Sequence, residues 1–412
     1  MPLDLILRQA HVPGQNEIPR DIGVSGGLIA AIEPHIEAEA QEIKLDGRLV
    51  VAGFVDTHVH LDKSCVLERS KLEQCTLEEA IAQVAALKRD FTEEDVYARA
   101  RRTLEMAILQ GTTHMRTHVE LDPRIGLRSF NALRRLKHDY RWAIDLEICV
   151  FPQEGMINEP GTEELLVAAC ERGADLIGGC PSTDTNPHEQ ITRIFAIARR
   201  FDIDIDFHLD FDLDPSWMHL DEVCRQCEVH HWGGRVAVGH VTKLSAIDNA
   251  SLDRVARRLA DVGVAVTVLP ATDLFLLGSG HEHSIPRGVA PAHKLMFRRV
   301  TCSLATNNVL NPFTPFGDCS LIRMANLYAN VARLGRTTDI LACLDMITSM
   351  PAKLMNLANY GIRVGNAADI VALDCTNSLS AVTELAQPLF ALKNGRRSFS
   401  RARPKLYRPG LR

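Results

Sequence analysis

Eight short apolar runs, separated by turns and helical stretches, fill the middle of this 412-residue chain. They are "RLVVAGFVDTHVH", "GTTHMRTHVEL", "AIDLEICVFPQ", "GADLIGGCP", "FDIDIDFHLD", "GRVAVGHV", "GVAVTVLP" and "VTCSLATNN". Amphipathic patterns such as "EEDVYARARRTLEMAILQ" and "EQITRIFAIARRF" lie between them. Strands that are apolar on both faces and alternate with helices build parallel sheets. Eight such units predict an α/β fold, a closed (β/α)8 TIM barrel, with its active site at the C-terminal ends of the strands. The two chain ends differ in style. "LDLILRQAHV", "RDIGVSGGLIAAIEP", "GIRVGNAADIVALDC" and "FALKNGRRSF" are strand-and-turn segments. They predict a small β-sandwich formed by both termini, from residues 1–50 and 359–412, around a barrel of residues 51–358.

Polar residues fall where such a barrel places chemistry. His58 and His60 end the first strand, and positions i and i+2 of a strand share a face about 6.5–7 Å apart. Two imidazoles so placed can converge on one metal ion at roughly 2.0–2.1 Å. His208 ends the fifth strand, His240 the sixth, Gln153 the third, and Asn307 and Asn308 the eighth. Any one of these histidines, taken alone, reads as a hydrogen-bonded core residue. Four of them at strand ends of one barrel point to a site.

Composition narrows the function. The net charge is −6 and no long basic run occurs, which argues against nucleic acid as a partner. No stretch of 18 apolar residues is present, so no membrane span is expected. Asp4 and Arg8 interrupt the apolar start, against a signal peptide. The eleven cysteines are scattered, and Cys224 and Cys227 sit in "DEVCRQCEVHH", which reads as a helix. Reduced thiols and a cytoplasmic location are the expectation.

At this point the chain resembles the amidohydrolase superfamily, in its branch of cytosine deaminases and N-isopropylammelide hydrolases. "GFVDTHVHLDKS" resembles the first-strand metal motif, "MRTHVEL" and "FPQEG" resemble second- and third-strand segments, and "NYGIRVGNAADIVAL" resembles the return to the sandwich. The resemblance implies one divalent metal ion per chain, zinc or iron, with His58, His60 and His208 as ligands. It implies His240 beside the attacking water and Gln153 on the amide edge of a pyrimidine-type ring. No lysine ends the fourth strand, so it implies a mononuclear site. A small-molecule substrate and a homo-oligomer are expected.

Two departures matter. Asn307 stands where the family has a metal-contacting, proton-accepting aspartate, and Asn308 follows it. Phe211 stands where deaminases of the branch carry a glutamate that shuttles protons to the ring. An asparagine oxygen can still contact a metal but cannot take a proton. Losing the carboxylate leaves the site more positive, which eases ionisation of a water held there. His240 is then the candidate general base. Asp210 reads as a partner of other groups rather than as a shuttle. Phe211 makes the pocket more apolar and suits a different ring or a bulkier nitrogen substituent. The expected activity is metal-dependent hydrolysis of a C–N bond in a small cyclic amidine or amide, with ring deamination first. The alternatives are an amide, urea or carbamate-like bond without deamination, and a metal-binding barrel without turnover.

Overall fold

The computed structural model describes residues 2–14 and 18–407. Eight parallel strands form one sheet in chain order: β6 (Phe54–Val59), β7 (Thr112–Glu120), β8 (Asp145–Phe151), β9 (Leu176–Ile177), β10 (Asp204–Leu209), β11 (Val236–His240), β12 (Val264–Val268) and β13 (Cys302–Leu304). The eight apolar runs supply these eight strands. The sheet closes at its mouth. Asn307 N–H donates to the His58 carbonyl and His60 N–H donates to the Asn307 carbonyl, each at 2.8 Å. The seam between first and eighth strands therefore runs through three of the expected site residues.

Five further strands, β1 (Leu5–Ala10), β2 (Arg20–Ser25), β3 (Leu28–Glu33), β4 (Gln41–Lys44) and β5 (Val50–Ala52), precede the barrel, and β14 (Ile370–Leu373), β15 (Pro388–Lys393) and β16 (Arg396–Ser400) follow it. They form two four-stranded sheets, β3-β2-β1-β4 and β16-β15-β14-β5. Leu5, Leu7, Ile22 and Val24 of one sheet pack on Val50, Ile370, Phe390 and Leu392 of the other. The sandwich is thus built from both ends of the chain. Residues 48–60, which read as one strand, divide at Gly53 into β5 and β6. A Cβ at Gly53 would lie 2.1 Å from Thr113 Oγ1, so only glycine lets the chain cross there. Lys393 ties sandwich to barrel, donating to Asp369 and Asp145 at 2.6 Å each.

Helices cover the barrel for local reasons. The Thr92 side chain accepts from Asp95 N–H and caps the helix Glu93–Leu109, whose first turn is acidic. Its Ala100, Leu104 and Ala107 are buried on the barrel. Burying a leucine such as Leu104 contributes about 1.5–3 kcal/mol. Inside the barrel the floor is made of small residues, Ala237 and Ala265 against Val55. Above it Thr57, Thr267 and Ser303 join hydroxyls, with Thr57 Oγ1 2.8 Å from Ser303 Oγ. Among the described residues, no helix is long and apolar enough to cross a membrane. All eleven cysteines are free.

Candidate active site

The strand ends present the expected residues to one cleft, lined by His60, His208, His240, Gln153, Asn307, Asn308 and Phe211 among others. The His58 ring packs edge-on against His208, with centroids 4.6 Å apart. The His58 and His60 Nε2 atoms each lie 3.0 Å from His208 Nε2. A register shift in β6 between Asp56 and Val59 aims both imidazoles inward. Phe151 stacks on the His208 ring at 4.4 Å, and His118 stacks on His58 at 3.7 Å.

Burial, together with the neighbouring His118 and His208 for His58, Lys63 and His208 for His60, and His118 and His240 for His208, pushes all three imidazoles well below the usual histidine range. A neutral imidazole offers a lone pair on one ring nitrogen, and the three Nε2 atoms are grouped at one place. Three lone pairs so close repel one another unless a cation or protons sit between them. A divalent ion fits this donor set, since neutral imidazole is a standard ligand. Asn307 is buried beside them, and neither its Oδ1 nor its Nδ2 has a partner. An amide oxygen without a donor is suited to the same ion.

His240 reaches the cleft by a different route. By strand register it pairs with Leu209, while Gly239 pairs with inward-facing His208. Alternation alone would turn His240 away. Its backbone is left-handed, at φ +70°, and the following Val241 is at +43°. That costly conformation swings the imidazole into the cleft. A Cβ at Gly239 would press on the His58 ring at 3.2 Å, so glycine there leaves that ring its place. Asn307 is left-handed as well, at φ +57°.

Three residues that the strand-end reasoning missed belong to this arrangement. Asp273, in the helix Pro270–Leu276, places Oδ1 2.6 Å from His240 Nδ1. Burial raises its carboxyl pKa, while His240 opposes the shift. Lys63 Nζ enters the cleft from "HLDKS", donating to Glu120 Oε1 at 2.7 Å and to Gln153 Oε1 at 3.4 Å. His118 completes the barrel interior, with Nε2 3.6 Å from Asp206. The signals existed: an acid in an apolar helix, a lysine in a buried run, and the alternation His114, Arg116, His118, Glu120 along β7. Asp210, by contrast, turns from the cleft. Its carboxylate accepts from the His219 and Leu220 N–H groups at the start of a helix. Burial pushes it up to about 6.

Gln153 is fixed from both sides. Lys63 donates to its oxygen, and its Nε2 lies 3.7 Å from Cys180 Sγ. The amide therefore offers N–H donors to the cleft, with one oxygen lone pair left over. Losing it leaves a ring group unpaired, at roughly 1–3 kcal/mol. Gln153→Ala is expected to lower kcat/KM about ten- to a hundredfold with metal content unchanged, measured by steady-state kinetics and metal analysis. An unchanged kcat/KM on a turned-over ring would remove Gln153 from recognition.

The Lys63 ammonium rests on a buried ion network. Lys88 Nζ donates to Glu120 and Glu154 and lies 2.5 Å from Asp122. Burial works to lower the Lys88 pKa, but Glu120, Glu154 and Asp122 together hold it above its ordinary value. Removing one member of such a network strands the others. Lys88→Met is expected to cost about 3–5 kcal/mol in urea unfolding. A loss under 1 kcal/mol would show that the carboxylates simply protonate.

Known proteins resemble this chain in sequence and fold. An amidohydrolase family model matches residues 41–139 and 131–396. N-isopropylammelide isopropyl amidohydrolase of Pseudomonas sp. (strain ADP) is 28% identical over 403 residues, covering 95% of this chain and 96% of that protein. Pterin deaminase of Rhizobium rhizogenes is 28% identical over 363 residues, covering 85% and 81%. The structure of 5-methylcytosine deaminase from Klebsiella pneumoniae with 5-fluorocytosine superposes with a TM-score of 0.93, at 27% identity, over 98% of this chain and 100% of that one. With a histidine cluster at the mouth of an eight-stranded barrel and a family match over most of its length, the chain belongs to the amidohydrolase family.

Proposed function

We propose that the protein hydrolyses a C–N bond of a small pyrimidine- or triazine-type ring, using one zinc or iron ion held by His58, His60 and His208 with Asn307 alongside. The carrying observation is the grouping of three imidazoles, with the His58 and His60 Nε2 atoms each 3.0 Å from His208 Nε2, at a cleft that also holds His240 and Gln153. The ion, when bound, supplies a Lewis acid that activates water and polarises the substrate. His240 takes the proton from the attacking water and returns it to the departing nitrogen. Gln153 holds the ring edge, and Lys63 keeps the Gln153 amide in place. Phe211, edge-on to His240 at 4.5 Å, closes the cleft with Leu77, Ile81 and Leu276. That apolar wall suits an alkyl-substituted nitrogen. The similar proteins are named for N-isopropylammelide, pterin and 5-methylcytosine, which supports a heterocyclic substrate. Eleven free thiols support a cytoplasmic setting.

The absence of a carboxyl group at Phe211 favours a second reading, hydrolysis of a cyclic amide or urea without ring deamination. A panel of aminopyrimidines, N-alkylaminotriazines and cyclic ureides separates the two. Release of ammonia or alkylamine is expected from at least one aromatic ring, with kcat/KM of about 10⁴ M⁻¹s⁻¹ or more. Opening of ureides alone would support the second reading. Raised melting temperatures without any product would leave a binding protein.

A further inference from the structure

We infer that Asp273 is a positioning residue that fixes the tautomer of His240 and provides the negative charge which Asn307 does not. The inference rests on the hydrolytic reading of the cleft for its purpose, but its geometry stands apart from any substrate. Asp273 is fully buried, and both carboxylate oxygens are engaged. Oδ1 lies 2.6 Å from His240 Nδ1, and Oδ2 accepts from Leu269 N–H at 3.3 Å. No arginine or lysine pairs with it among the described residues, so its charge is directed at the imidazole alone. A carboxylate has no proton to donate, so the His240 proton resides on Nδ1 and Nε2 stays bare. A bare Nε2 is the form that can accept a proton from water. When it does, the cation that forms is stabilised across a 2.6 Å contact in a dry interior.

The arrangement also explains how the chain tolerates Asn307. A family carboxylate at that place would serve as proton acceptor and as a counter-charge. Here the acceptor is His240, and the counter-charge stands behind it rather than beside the metal position. The left-handed backbone of His240 belongs to the same device, because that turn carries Nδ1 toward Asp273 as the ring enters the cleft.

Asp273→Asn tests this with almost no change in shape. The amide has one oxygen and one NH2. Leu269 N–H cannot cease to be a donor, whereas the imidazole can change tautomer. The oxygen therefore stays with Leu269, the NH2 turns to His240 Nδ1, and the imidazole proton moves to Nε2. Nitrogen-15 NMR of zinc-loaded, histidine-labelled protein reads the tautomer directly, with His240→Asn to assign the signal. The expected result is Nδ1–H in the wild type and Nε2–H in Asp273→Asn. On a ring the wild type turns over, kcat falls about 10²–10⁴-fold while KM stays within about threefold. In the His240→Asn background the same change costs less than about threefold, because its target is gone. A wild-type His240 protonated on Nε2 overturns the inference without any variant. Unchanged kcat in Asp273→Asn, or equal losses in both backgrounds, also overturns it. A wild type that turns over no ring but shows Nδ1–H refutes the hydrolytic reading and leaves the tautomer assignment intact.

Discussion

His240→Asn is expected to lower turnover by about 10²–10⁴-fold, and Asn307→Asp in the same chain is expected to restore part of it. The first loss follows from position. His240 lies within 4.8 Å of His58 and His208 but differs from them in being paired through Nδ1 to a carboxylate and in standing outside the 3.0 Å contacts of His208. Asp210, two residues after His208, is spent on two backbone N–H groups and cannot replace it. The partial rescue follows from the Asn307 side chain, which is buried, unpartnered and next to the histidine cluster. A carboxylate there can take the proton that His240 no longer takes. The rescue is partial because the added charge disfavours forming a second anion beside it. Rates of the wild type, both single variants and the double variant check this. Wild-type turnover in His240→Asn would make it a structural histidine.

The second large effect concerns the metal. His58→Ala and His208→Ala should each strip most of the bound ion and reduce turnover to background, since on the proposed reading three imidazole nitrogens would hold it without an acidic ligand to compensate. His208→Ala should be the more severe, because its Nε2 is the one that lies 3.0 Å from both of the others. Metal analysis after purification in zinc checks both. Full occupancy in the two variants would move the site elsewhere, with the His114, Asp145 and Asp369 group, which contains neither of the replaced histidines, next in line.

The barrel was legible because its strands are continuous apolar runs and its helices are amphipathic, two periods that seldom coincide by chance. His208 was legible for the same reason, and His58 and His60 were legible as a strand-end pair, although it is the register shift in β6 that aims them inward. His240 was found at a strand end, yet alternation would have aimed it outward. Only the left-handed turn at φ +70°, which no residue type announces, brings it in. Asp273 and Lys63 act across 33 and 57 residues of chain, on His240 and Glu120. Such pairings depend on how helices and loops settle on the barrel, not on local pattern. The break at Gly53 hid inside an apolar run because both halves are equally buried.

The most direct test of a single-ion hydrolytic site is a titration of chelator-stripped protein with zinc or ferrous ion, followed by ammonia or amine release from a ring the native protein turns over. The expected result is activity rising in proportion to added metal, with a break at about one ion per chain and none in His208→Ala. Full turnover by the stripped protein, or a break at two ions, would contradict it.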